Sequence, residues 1–123
     1  MNMKKLALIL FLFLFISTSC EKEYSIPQNE IPTWLKDIIE KDEQSIKDFP
    51  KSGRSYGAWF RYKWSGTYYF EYQNPLSSLI LPPISENQDT LRFSDITVFK
   101  LYSEDRCCVR YVWKGPKYDA VPH

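Results

Sequence analysis

The chain has 123 residues, with 16 Lys and Arg against 15 Asp and Glu, a net charge of +1, and 17% aromatic residues. That length suits one domain, and so balanced a charge offers no strong field for nucleic acid or anionic lipid. The one histidine is the last residue, His123, and there are only four glycines, so the sequence lacks a central His-based nucleophile pair and a Gly-rich phosphate loop.

The N-terminus carries the clearest signal. Lys4 and Lys5 precede an apolar run from Leu6 to Ile16, followed by Ser17, Thr18, Ser19 and Cys20. A membrane-spanning helix needs about 20 apolar residues, and this run is shorter, with the length of a secretory signal core. The segment resembles a bacterial lipoprotein signal of the kind carried by small lipoproteins of Bacteroidota. The resemblance covers the first 20 residues only. It implies removal of residues 1–19 as signal peptide, palmitate-type acylation of Cys20, and a membrane anchor through that lipid. It further implies a place in the cell envelope, in the outer membrane, facing the periplasm or the surface. Two or more acyl chains hold stably where one does not.

Residues 20–31 are then expected to be the lipidated cysteine and a polar tether containing Pro27, followed by a single domain over 32–116 and a loose tail over 117–123. From Pro32 to Phe49 the spacing predicts an amphipathic helix. Leu35, Ile38, Ile39, Ile46 and Phe49 form its apolar stripe and Lys36, Asp37, Glu40, Lys41, Glu43, Gln44 and Lys47 its wet face. Asp42 is placed at the edge of the stripe. Pro32 suits a first turn, and Pro50 and Gly53 end the helix.

Tyr56 to Gln73 predicts a hairpin. Matching apolar faces favours a three-residue loop, Trp64–Ser65–Gly66, pairing Tyr62 with Tyr68, Phe60 with Phe70 and Ala58 with Tyr72. A two-residue Ser65–Gly66 turn would instead pair Phe60 with Glu71 and Arg61 with Phe70, mixing the faces. The chosen register makes an aromatic wall of Phe60, Tyr62, Tyr68, Phe70 and Tyr72 and leaves Trp64 at the tip.

Asn74 to Asp89 is the connection. Asn74–Pro75 suits the start of one helical turn through Leu79, and Pro82–Pro83 bars a central strand. Leu76, Leu79, Ile80 and Leu81 are expected to pack over a sheet edge, and Ser85 to Asp89 to be mobile. Phe93 to Tyr102 and Cys107 to Lys114 read as a second hairpin joined around Ser103–Glu104–Asp105. Cys107, Val109, Tyr111 and Trp113 then share one face, and Gly115 and Pro116 end the sheet. The fold class is α+β: one N-terminal amphipathic helix packed on a four-stranded antiparallel sheet made of two hairpins.

Chemistry is sparse. Cys107 and Cys108 are adjacent, and neighbours on a strand point to opposite faces. Two reduced, partly buried thiols are favoured over a vicinal disulfide or an intermolecular bridge. Two such cysteines with one distant His do not make a metal site, and neither metal nor cofactor is expected. Glu71 and the Glu104–Asp105 pair read as a strand residue and a solvated turn rather than a catalytic carboxylate pair. A non-catalytic binding module fits better than an enzyme. Its expected surface is Trp59, Arg61, Lys63, Trp64 and Tyr69, where rings beside cations can meet an envelope protein or a glycan. The alternatives are a structural accessory subunit of an envelope assembly or a small inhibitor of an extracellular enzyme. No nucleic-acid partner is expected.

Overall fold

The computed structural model describes residues 26–121, apart from positions 79 and 93. The signal segment, Cys20, Leu79, Phe93 and His123 therefore lie outside the described residues. The fold is α+β, with two α-helices and one four-stranded antiparallel sheet in the order β3-β2-β1-β4. Helix α1 spans Thr33–Asp48 and α2 spans Ile96–Asp105. The strands are β1 (Ala58–Trp64), β2 (Thr67–Gln73), β3 (Ile84–Ser85) and β4 (Cys107–Lys114).

Pro32 opens α1, and the Pro32 carbonyl accepts the backbone N–H groups of Leu35 and Lys36. Leu35 and Ile39 are buried in the core with Trp59, Phe70, Val112 and Trp113, and Trp34, Ile38 and Ile46 pack beside them. Phe49, read as the end of the apolar stripe, is exposed, and Asp42 lies buried rather than at the stripe edge. Ile26 and Ile31 belong to the same core, flanking a 3-10 turn over Gln28–Glu30. Ile26 and Ile31, expected in the tether, are therefore part of the packed core. Two isoleucines spaced around a prolyl turn have no helical or strand period, which is why they read as linker.

The hairpin sits where the sequence places it, but its register is that of the two-residue Ser65–Gly66 turn and not of the expected three-residue loop. Phe60 faces Glu71, Arg61 faces Phe70 and Tyr62 faces Tyr69 across a two-residue turn. Ser65 and Gly66 have φ of 51° and 77°, both positive as a type I′ turn requires. That turn matches the twist of the strands, and its geometry outweighs the matching of apolar faces. The expected aromatic wall is accordingly divided. Trp59, Phe70 and Tyr72 face α1, whereas Tyr62, Trp64 and Tyr69 lie in the opposite phase with Glu71. The chain before the strand turns as a 3-10 helix over Gly53–Tyr56, so β1 starts at Ala58, two residues later than the alternation implied.

The second expected hairpin is absent. Residues 96–105 form α2, and β4 pairs with β1 directly. Ile96, Thr97 and Val98 carry strand propensity, but Asp95 caps the helix by accepting the Val98 N–H at 3.2 Å, and the Ser103 hydroxyl bonds back to the Phe99 carbonyl. Helix α2 covers the sheet face opposite α1 through one fully buried side chain, Tyr102.

Strand β4 breaks its own alternation twice. Its pairing with β1 shifts between Trp59 and Phe60, and again between Arg61 and Lys63, each time with an extra residue on β4. The first bulge lets the consecutive residues Val112 and Trp113 both enter the core. The second contains Cys108, at φ 63°. Cys107 and Cys108 are joined in a vicinal disulfide and both are exposed, contrary to the two partly buried thiols expected. The bulge supplies the local turn that a regular strand would deny them.

The connection also departs from expectation. Asn74 makes a turn, its side chain accepting the Leu76 N–H at 3.0 Å, and the described residues 75–78 form no helical turn. Leu76, Ile80 and Leu81 are exposed instead of packed. The chain returns as β3, pairing Ile84 with Phe70 and Ser85 with Tyr69. Ser85 is buried and closes the following turn through the Asp89 N–H and carbonyl, so the segment from Ser85 to Asp89 is hydrogen-bonded at both ends. The tail is held as well. Lys117 N–H bonds the Ser55 carbonyl at 2.8 Å, and Tyr118 is buried with its ring 5.9 Å from that of Phe60. Gly115 lies so close to the Ser55 carbonyl that a Cβ there would overlap it.

Candidate binding pocket

The five expected surface residues separate into different environments. Trp59 is 3% exposed and Arg61 5%, so both are core residues and neither offers a contact surface. Trp59 packs at ring distances of 5.4 Å on Tyr72 and 6.4 Å on Trp34. Trp64 and Tyr69 are half-buried in a cluster with Tyr102, with ring centroids 5.3 to 5.9 Å apart. Lys63 alone is exposed. The two-residue turn explains the split: it sends Trp59, Arg61 and Lys63 to the α1 face and Trp64 and Tyr69 to the α2 face.

Arg61 is the anomaly of the α1 face. Its guanidinium stacks 4.1 Å from the centre of the Tyr68 ring and stands 3.8 Å from the Glu30 carboxylate. Its Nε and Nη1 have no hydrogen-bond partner in the protein. A buried guanidinium with unmet N–H groups is costly unless something polar approaches it. Glu30 and Tyr68, which cover it, form the wall of a polar pocket.

That pocket has a volume of about 290 Å³ and is lined by Asn29, Glu30, Ile31, Pro32, Tyr68, Glu86 and Asn87. Three segments distant in sequence build it: the 3-10 turn before α1, the start of β2 at Tyr68, and the turn after β3. The Trp34 indole N–H donates to the Glu86 carbonyl at 3.2 Å, and the Glu86 N–H bonds the Tyr68 carbonyl at 3.0 Å. Those two bonds fix the turn that carries Glu86 and Asn87 against the sheet. The lining offers carboxylates and amides as acceptors and donors, one phenol ring, and no nucleophile paired with a base. Tyr68 and Glu30 were legible as aromatic and acidic residues, but nothing in local spacing could bring them together.

A larger groove, of about 540 Å³, runs along α1 between Ile38, Lys41, Asp42, Gln44, Ser45, Asp48 and Arg54. Asp42 is 3% exposed and ion-paired to Arg54. Burial pushes the Asp42 carboxyl above its usual range, and Arg54 works against that rise. The Asp42 carboxyl also attracts the buried Trp59 indole N–H, which reaches no acceptor with hydrogen-bond geometry. The carboxylate is thus committed to two protein groups, and the groove reads as a structural seam.

On the α2 face, the Tyr102 hydroxyl donates to Glu71 Oε2 at 2.6 Å, and Arg106 is ion-paired to the same oxygen. Arg106 also lies 4.0 Å over the Tyr62 ring. Burial and the Glu71 carboxylate push the Tyr102 phenol far above its ordinary value. This is a closed lock with every charge matched.

Among the described residues no group of His, Cys, Asp and Glu has the arrangement of a metal site, and no helix is long and apolar enough to cross a membrane. No protein-family model, curated protein or solved structure matches the chain.

Proposed function

We propose that the chain is a lipid-anchored cell-envelope protein acting as a non-catalytic binding module, and that the pocket beside Tyr68 is where it meets its ligand. The observation that carries the reading is the polar pocket itself, which sets the amides of Asn29 and Asn87 beside Glu30 and Tyr68, the two residues that also hold the buried Arg61 guanidinium in place. A small, shallow recess of amides, carboxylates and one aromatic ring suits a glycan end better than an apolar ligand.

The anchor adds a geometric constraint. With Ile26 in the core, only the five residues 21–25 separate it from Cys20. At about 3.5 Å per residue such a tether reaches about 20 Å at most. The pocket, whose wall begins at Asn29, is then held near the bilayer, and the ligand is an envelope glycan close to the membrane.

The test is an NMR titration of the protein with envelope glycan fragments, both neutral and N-acetylated. The Trp34 indole N–H resonance is the reporter, since it bonds the pocket backbone at Glu86. The reading expects saturable shifts at Trp34, Tyr68 and Asn87 that Tyr68→Ala and Asn87→Ala abolish. An absence of shifts at millimolar glycan would reject it. A second reading, an accessory subunit of an envelope assembly, draws on the exposed apolar side chains Ile80 and Ile96, 76% and 77% exposed. It expects co-purification with a protein partner from membrane extracts.

A further inference from the structure

The vicinal disulfide lies outside the pocket and is used by nothing described so far. We infer that Cys107–Cys108 is a thiol–disulfide exchange site, and that its redox state sets the second bulge of β4 and, through it, the Arg106 lock on α2.

Four observations carry this. Both cysteines are exposed, so an external thiol can reach either sulfur. Two cations stand near the pair, Lys63 opposite Cys107 in the β1–β4 register and Arg110 two residues after Cys108, while Arg106 is matched by Glu71. Such a field favours the thiolate form, and so its departure from a disulfide under attack. Cys108 sits at φ 63°, a conformation natural to glycine and disfavoured by a side chain. That residue is within the bulge where three β4 steps, from Cys107 to Arg110, span two β1 steps, from Arg61 to Lys63. The ring closed by the disulfide joins these two residues and helps hold the bulge.

The reaction is an exchange with a dithiol. A thiolate of the dithiol attacks one sulfur of the pair, the Cys107–Cys108 bond breaks, and a mixed disulfide forms with one cysteine released as thiolate. The second thiol of the partner then closes its own disulfide and releases the other cysteine. The pair gains two electrons and two protons, and the dithiol loses them. Freed from the ring, Cys108 can return to extended backbone and β4 can lose its extra residue. Arg106, one residue before Cys107, would then shift against Glu71, to which it is ion-paired.

The test uses the full chain in detergent. Maleimide labelling is read on the peptide holding Cys107 and Cys108, before and after titration with dithiothreitol. Amide exchange is followed over residues 96–106 in both states. The proposal expects no label before reduction, two after, and exchange in 96–106 faster by roughly tenfold, about 1.4 kcal/mol of local stability. Label before reduction, or reduction without faster exchange, overturns it. Two double variants separate the bulge from the sulfur chemistry. Cys107→Ser with Cys108→Ser should exchange like the reduced protein, whereas Cys107→Ser with Cys108→Gly, which tolerates positive φ, should stay protected. Equal exchange in the two variants also overturns the proposal.

Discussion

The two faces of one sheet are held by different physics. Under α1, the strands bury Trp59, Phe70, Val112 and Trp113 against Leu35, Ile39, Ile26 and Ile31, and the stabilisation scales with apolar area removed from water. Under α2, one buried phenol, one carboxylate and one guanidinium carry most of the attachment, with Trp64, Tyr69 and Tyr62 stacked around them. An apolar face degrades gradually as groups are trimmed. A polar lock fails at a single atom, because the groups left behind are partly buried and unpaired. The small α2 face is therefore the more switchable half of the molecule.

Phe70→Ala should be the most damaging change, since Phe70 sits at the centre of the apolar face. A loss of about 3–5 kcal/mol is expected in denaturant unfolding, with one cooperative transition. A loss below 1 kcal/mol would mean that this face is not the core.

Glu71→Gln should cost about 2 kcal/mol, discounted for the partial exposure of the pair, by leaving Arg106 without its countercharge. The lock also has an alkaline limit. The folded state holds Tyr102 as the neutral phenol, with its proton bound well above the ordinary value of about 10. Its stabilisation is therefore complete below pH 10 and is lost as pH rises above that value. Tyr102→Phe, which cannot ionise, should lose less stability than the wild type between pH 10 and 12. Identical alkaline unfolding profiles would remove Tyr102 from the lock.

Arg54→Ala should cost about 1–2 kcal/mol at pH 7, because it leaves the buried Asp42 carboxylate without its cation. Asp42 is already raised from 3.8 in the folded protein, so protonation favours the fold, and the deficit of the variant should narrow as pH falls from 7 towards 4. A deficit that grows on acidification would contradict this sign. The smallest effect is a gain: Ser65→Asn, at φ 51°, should stabilise the hairpin by a few tenths of a kcal/mol in thermal melts. A loss there would count against the type I′ turn.

Legibility in the sequence follows the same division. The α1 pattern is plain because Pro32, Leu35 and Ile39 repeat at helical spacing. The hairpin is plain in place but not in register, because Arg61 on the core face and Glu71 on the α2 face look like errors until Tyr68, Glu30, Arg106 and Tyr102 are seen to receive them. Helix α2 was hidden by Ile96, Thr97 and Val98, whose β-branched run outweighs a single Asp95 cap in any local reading. The bulges of β4 leave no trace in alternation, and Val112 and Trp113 enter the core together only because of one. The pocket beside Tyr68 could not be read at all, since its lining comes from turns at Asn29 and Asn87 that meet only after folding.

The most direct test of the two-face account is amide hydrogen exchange in Glu71→Gln, comparing α2 (residues 96–105) with α1 (residues 33–48). The account predicts that α2 loses protection by one to two orders of magnitude while α1 stays within about threefold of wild type, as expected of separable local openings. Equal loss of protection in both helices would show one undivided core and contradict it.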